Sequence, residues 1–157
     1  MHLAPRGYLL AFLTAVLAIL GIWSEAAGSA RLWHLPLGLL LLGLAFEALY
    51  MRKVRVGAAL ATAPRALLGR PQPAAFVFDN PTRRPLVLEY APAVPAGFET
   101  LNSLRRVNAP PRTTVRDAFE LAPVRLGPQP WPPLPARVLG PLALAWWSRT
   151  LTPAATV

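Results

Sequence analysis

Cysteine does not occur in the 157-residue chain, which excludes a disulfide framework and every thiolate metal site. Its absence fits a reducing compartment. Histidine is almost missing as well: His2 and His34 are the only two. Both lie within the first 50 residues, with no spacing that pairs them as metal ligands. There is no Gly-x-Ser-x-Gly elbow, and the ten glycines are scattered rather than gathered into a phosphate loop. Acids are scarce, seven against sixteen Lys and Arg. Asp79 precedes Asn80-Pro81, where an acid caps a turn. Asp117 and Glu120 stand three apart in a predicted strand, so they face opposite sides and form no carboxylate pair. With the usual catalytic constellations missing, the expectation is a non-enzymatic protein with no cofactor, metal or catalytic site.

What is present is unevenly distributed. Hydrophobic residues make up 54% of the chain and charged residues 15%, against roughly a quarter charged in an ordinary soluble domain. Residues 1–50 carry only Arg6, Glu25, Arg31 and Glu47, which cancel, so the whole net charge of +9 lies in 51–157. Seventeen of the nineteen prolines lie there too. Two chemically different segments meet near Tyr50, and the expected domains are 1–50 and 51–157.

The first segment reads as a transmembrane helical hairpin with spans at 8–23 and 32–50. The first run has no charge and the second has only Glu47. A bilayer core of about 30 Å needs around 20 apolar residues, with about 17 as the lower limit. SEAAGSAR between them is long enough only to reverse the chain. Tyr8 and Tyr50 suit one interfacial aromatic belt, Trp23 and Trp33 the other. Arg52, Lys53 and Arg55 follow the second span, so the positive-inside rule places both termini, and the region after the spans, in the cytoplasm at the inner membrane. A cleaved signal peptide competes for the first run, because Arg6, an apolar stretch and AAGSA resemble its three parts. A soluble, buried hairpin also competes, against the near-absence of polar residues on any face. Glu47 is expected to snorkel toward Arg52 or Arg6 at the interface, with His34 beside Trp33 at the opposite one.

From Met51 the pattern changes to period two. MRKVRVGAALA, AAFVFDN, PLVLEYAP, DAFELAPV and GPLALAWW read as short strands, separated by NPTRRP, APPRT and LGPQPWPPLP. Strands bounded by Pro, Gly, Asn and Asp predict a small antiparallel Ig-like β-sandwich. Phe76, Phe78, Leu86, Leu88 and Tyr90 are expected in its core. QPWPPLP reads either as a stiff surface loop or as a polyproline ligand. Arg83-Arg84, Arg105-Arg106 and Arg112/Arg116 could form a nucleic-acid footprint. No recognition helix or aromatic-interleaved motif accompanies them, so membrane lipid is the simpler partner.

The order of these features resembles the N-terminal part of the bacterial family catalogued as domain of unknown function 58. The phrases that carry the resemblance are Gly69-Arg70, Asn80-Pro81-Thr82-Arg83-Arg84-Pro85-Leu86, Pro95-Ala96-Gly97-Phe98 and VLGPLALAWWSRTL from Val138 to Leu151. Family members continue into a von Willebrand factor A-like domain with an Asp-x-Ser-x-Ser metal-ion adhesion motif. That motif is missing here, so metal-dependent binding is not carried over. GPQPWPPLPARV also replaces the family's Arg-Gly-x-Tyr phrase. The chain is expected to be a truncated member, a fragment or a small paralogue. The resemblance implies a membrane anchor plus sandwich, and association with a MoxR-type AAA+ ATPase.

Two functions are therefore expected to compete. One is a membrane-anchored scaffold whose β domain binds protein partners. The other is a small structural subunit of a larger membrane complex, held through small hairpin residues such as Gly38, Gly43 and Ala45.

Overall fold

A computed structural model of the chain describes residues 1–23, 31–62, 68–99, 104–125, 127 and 130–156. The inter-span loop at 24–30 and residues 126, 128 and 129 of the proline-rich stretch lie outside it. The chain forms two compact units. One is Met1–Val54 with Leu139–Trp147; the other is Arg55–Val138 with Ser148–Val157.

The first unit opens with a two-residue strand, β1 (His2–Leu3), followed by helices α1 (Pro5–Trp23) and α2 (His34–Lys53). Pro5 occupies the first helical position, where its missing N–H costs nothing and its fixed φ suits the helix. Pro36 lies in the first turn of α2, whose amide groups have no intrahelical acceptor in any case. Arg52 and Lys53 fill the last turn of α2, where cations meet the negative end of the helix dipole. Val54 then turns extended. The helices have 19 and 20 residues, about 28 and 30 Å at 1.5 Å per residue. Both are long and apolar enough to cross a membrane. They pack against each other, yet Leu9, Phe12, Ile19, Leu35, Leu39 and Leu42 all stay exposed. Most of each helix is not buried within the chain.

The second unit is made of strands: β2 (Gly57–Thr62), β3 (Gln72–Asn80), β4 (Leu86–Tyr90), β5 (Phe98–Glu99), β6 (Arg105–Ala109), β7 (Thr113–Pro123), β8 (Leu134–Leu139), β9 (Ala145–Leu151) and β10 (Ala154–Thr156). The end of β8 and the start of β9 belong to the first unit. There β1 pairs antiparallel with β9, His2 opposite Trp146 and Leu3 opposite Ala145. One sheet runs β1-β9-β8-β4-β6 and the other β10-β2-β3-β7-β5. The longest ladder joins β3 to β7, from Gln72 opposite Leu121 to Asn80 opposite Thr113.

The five residues expected in a core are all buried. Phe76 and Phe78 on β3 meet Tyr90 on β4, with ring centroids 5.6 and 4.9 Å apart. Phe76 also stacks on Phe119 at 5.0 Å. Offset and edge-on aromatic pairs of this kind contribute about 0.5–1.5 kcal/mol each beyond their buried area.

Five details differ from the sequence expectation. A strand, β6, forms at Arg105–Ala109, where none was expected. Met51, Arg52 and Lys53 continue the helix rather than opening a strand, because buried Met51 completes a helical stripe with Leu40 and Glu47. β8 lies within what reads as a turn-rich region. Its Leu134, Ala136 and Val138 alternate inward, and the β4 ladder starts at Ala136, so the missing N–H of Pro135 leaves that ladder intact. In GPLALAWW the strand begins only at Ala145. Lastly, β10 runs parallel to β2, so the sheets are not wholly antiparallel.

Candidate functional site

α2 has one packed stripe, Leu40, Gly43, Glu47 and Met51, at the three- and four-residue spacing of a helix face. Leu40, Glu47 and Met51 are buried. Facing this stripe, within the same unit, is the turn between β8 and β9. The Gly140 N–H donates to Ala145 O at 2.9 Å and the Ala143 N–H to Gly140 O at 2.9 Å. Ala143 sits in the left-handed region at φ 57°. The turn leaves its amide groups pointing inward, toward the Glu47 carboxyl.

Glu47 is fully buried, at 0% exposure. Its Oε1 accepts from the N–H of Leu142 at 2.9 Å and of Leu144 at 3.1 Å. Its Oε2 accepts from the Ala145 N–H at 3.1 Å and the Trp147 indole Nε1–H at 3.3 Å. Burying an acid is costly unless its oxygens are hydrogen-bonded; here four donors satisfy both. Converging backbone N–H groups form an anion cradle of the kind that otherwise holds phosphate. The expectation that Glu47 snorkels toward Arg52 or Arg6 is therefore corrected: its partners lie in 142–147.

Three glycines permit this approach. A Cβ on Gly140 would overlap the Glu47 carboxyl group, one on Gly7 would overlap the Leu144 carbonyl oxygen, and one on Gly43 would press on Leu144 Cδ1. The same Leu144 oxygen accepts the Ala4 N–H at 2.8 Å. Leu144 is thus gripped through its N–H, its carbonyl and its side chain at once. The Glu47 carboxyl has no exposed face, and its hydrogen bonds tie the turn to α2.

A second cluster lies in the strand unit. Arg105 Nε donates to Asp117 Oδ2 and Nη2 to Oδ1, each at 2.9 Å, while Nη2 also reaches Ala118 O at 2.9 Å. The Tyr90 hydroxyl donates to Asp117 Oδ2 at 2.5 Å. Burial first, and then the Asp117 carboxylate, push the Tyr90 phenol well above its ordinary range, with Arg105 opposing. Tyr90 is thereby kept as a neutral donor. Arg105 is committed to this cluster and is not part of an open basic surface. Asp117 points toward the side of Phe119 and Leu121, whereas Glu120 is exposed on the other face.

Asn80 organises the turns beside these strands. Its Nδ2 donates to the carbonyls of Arg84, Ala109 and Pro110, and its Oδ1 accepts from the N–H and hydroxyl of Thr82. One buried amide thus joins the β3–β4 and β6–β7 turns.

The expected interface residues fall as follows. Tyr8 is exposed in the first turn of α1, and Trp23 is exposed at its end. Trp33 precedes α2 and stacks on His34 at 3.9 Å. Tyr50 stacks on Phe46 at 6.2 Å. Tyr50, Arg52 and Lys53 come together at the end of α2, around an open surface depression that Phe46 and Leu49 also line. Arg55 lies past the helix and is exposed. Sequence reasoning missed the part played by Glu47 and Gly140. The available signal was the acid itself, since one in an apolar helix must find partners. Among the described residues no group of three His, Asp or Glu is placed to hold a metal ion. In comparison with known proteins, the chain matches no family model and no curated protein.

Proposed function

We propose that this protein is a non-enzymatic, membrane-anchored scaffold. In this reading α1 and α2 span the inner membrane, and both termini are cytoplasmic. The strands form a small Ig-like sandwich that recruits protein partners. The observation that carries the reading is the Glu47 clasp. It builds Leu139–Trp147 into the same unit as the two helices, with Ala4 and Gly7 of the first helical region gripping Leu144. A leader destined for removal has no need of such contacts, so the first helix is read as a permanent span. Rings from β3 and β4, which belong to different sheets, touch through Phe76 and Tyr90, which supports the sandwich. Arg52 and Lys53 at the end of α2 support the orientation. The resemblance to the domain of unknown function 58 family adds a MoxR-type AAA+ ATPase as the partner to seek first.

One observation favours the alternative of a structural subunit within a membrane complex. Gly38 on α2 has open space where a Cβ would be, beside exposed Leu35, Leu39 and Leu42. Small residues let a neighbouring helix approach closely. Deleting the β region would not separate the two readings, because it would remove Leu142–Trp147 from Glu47. Photo-crosslinkers placed singly in the full chain do separate them. Capture of a soluble ATPase from exposed Arg116 or Arg137 supports the scaffold. Capture of membrane proteins from Leu39 or Leu42, with none from the strands, supports the subunit.

A further inference from the structure

We propose that the end of α2 is a binding site for one anionic phospholipid, an inference that rests on α2 being a membrane span. Phe46, Leu49, Tyr50 and Lys53 recur at i, i+3, i+4 and i+7, which puts them on one helix face. With Arg52 they line an open surface depression at the end of α2. The two kinds of lining residue are arranged in order along the helix. Phe46 and Leu49 are the earlier residues, 45% and 61% exposed, and they offer an apolar wall. Arg52 and Lys53 are exposed in the final turn. An apolar wall ending in two cations matches an acyl chain ending in a phosphate.

Charge complementarity selects an anionic occupant. Among the described residues, the depression is lined by two cations and no acid. Glu47, on the same helix, is the acid closest in sequence, but both of its oxygens are occupied by Leu142, Leu144, Ala145 and Trp147. It therefore does not neutralise Arg52 or Lys53 from this side. The guanidinium of Arg52 suits bidentate contact with a phosphate, and Lys53 supplies a second point charge. The stacked Phe46–Tyr50 pair provides a flat surface at the level of the glycerol backbone, where aromatic rings favour the membrane interface.

The test uses the full chain in mild detergent. It is titrated with phosphatidylglycerol, phosphatidylcholine or free glycerol 3-phosphate, and native mass spectrometry counts the adducts. The expected result is a single phosphatidylglycerol adduct retained at least fivefold better than phosphatidylcholine. Arg52→Gln/Lys53→Gln should remove that preference. Arg83→Gln/Arg116→Gln, which takes away the same charge elsewhere, should leave it intact. Equal retention of the two lipids, or an unchanged preference in Arg52→Gln/Lys53→Gln, would overturn the site. Saturable binding of glycerol 3-phosphate alone would overturn it in favour of a soluble anion. Carbonate extraction of membranes reports on the span separately. Release of the chain by carbonate sinks the membrane reading, whereas a resistant chain without lipid preference sinks only the lipid site.

Discussion

Gly140 faces the Glu47 carboxyl so closely that a methyl group added to it would occupy the space of Cδ and both oxygens. Gly140→Ala is therefore expected to open the clasp as effectively as changing Glu47 itself. Glu47→Ala leaves three backbone N–H groups and an indole N–H without their acceptor. At about 1–3 kcal/mol for each unpaired buried donor, the loss should exceed about 3 kcal/mol. Glu47→Gln keeps one acceptor oxygen and should fall between. Unfolding of the full chain in detergent, followed by tryptophan emission, measures all three. Wild-type stability in Gly140→Ala would refute the clasp.

Gly7 and Gly43 both face Leu144 but are expected to respond differently to alanine. At Gly7 the added methyl meets a backbone carbonyl, which cannot move without disturbing the turn. Overpacking of that kind costs about 1–3 kcal/mol. At Gly43 it meets the tip of a flexible side chain, and alanine gains about 1 kcal/mol in helix propensity. Gly7→Ala should lower the unfolding midpoint, and Gly43→Ala should leave it nearly unchanged. Equal losses at the two positions would count against the packing described for Leu144.

Alkaline pH should destabilise the strand unit through Tyr90. Its phenol is raised in the folded state, so the folded chain holds a proton that the unfolded chain releases near pH 10. Stability from this residue is complete below pH 10 and falls as pH rises further, at a limiting slope of about 1.4 kcal/mol per pH unit. Tyr90→Phe should lose some stability at neutral pH and lack this component of the alkaline decline. Asp117→Asn should retain much of the decline, because burial is the first cause of the shift. Denaturant unfolding between pH 8 and 11 supplies the comparison.

Topology is open to a direct check. A reporter at Ala27 is expected to be active only outside the cytoplasm, and one at Val157 only inside it. Arg52→Gln/Lys53→Gln/Arg55→Gln should blur the assignment, since these cations orient the second span. Cytoplasmic activity at Ala27 in the unaltered chain would invert the proposed arrangement.

Much of this architecture could be read locally. The two helices follow from uninterrupted apolar runs, and β3 and β4 from alternation between turn residues. The turn after Asn80 follows from its Asn-Pro-Thr sequence. β8 was hidden because prolines precede it and Pro135 lies within it, although the Leu134, Ala136 and Val138 alternation was present. β6 was hidden by the paired Arg105 and Arg106, one of which is drawn into a cluster with Tyr90 and Asp117. The clasp was hidden for a different reason. Glu47 has the same sequence neighbours whether it reaches water or a buried turn. Its partners lie 95 to 100 positions further along, where no short-range pattern reports on them.

That separation also sets an order in time. When α2 leaves the ribosome, the amides that will receive Glu47 do not yet exist. At 5–20 residues per second, roughly 5–20 s pass between the addition of Glu47 and that of Leu142. Through that interval a nascent apolar helix holds an acid with none of its eventual donors. Bringing the two together then requires closing a loop of nearly a hundred residues, a slow kind of contact to form. The helices precede the β8–β9 turn in sequence, but their unit is completed only after that turn has been made.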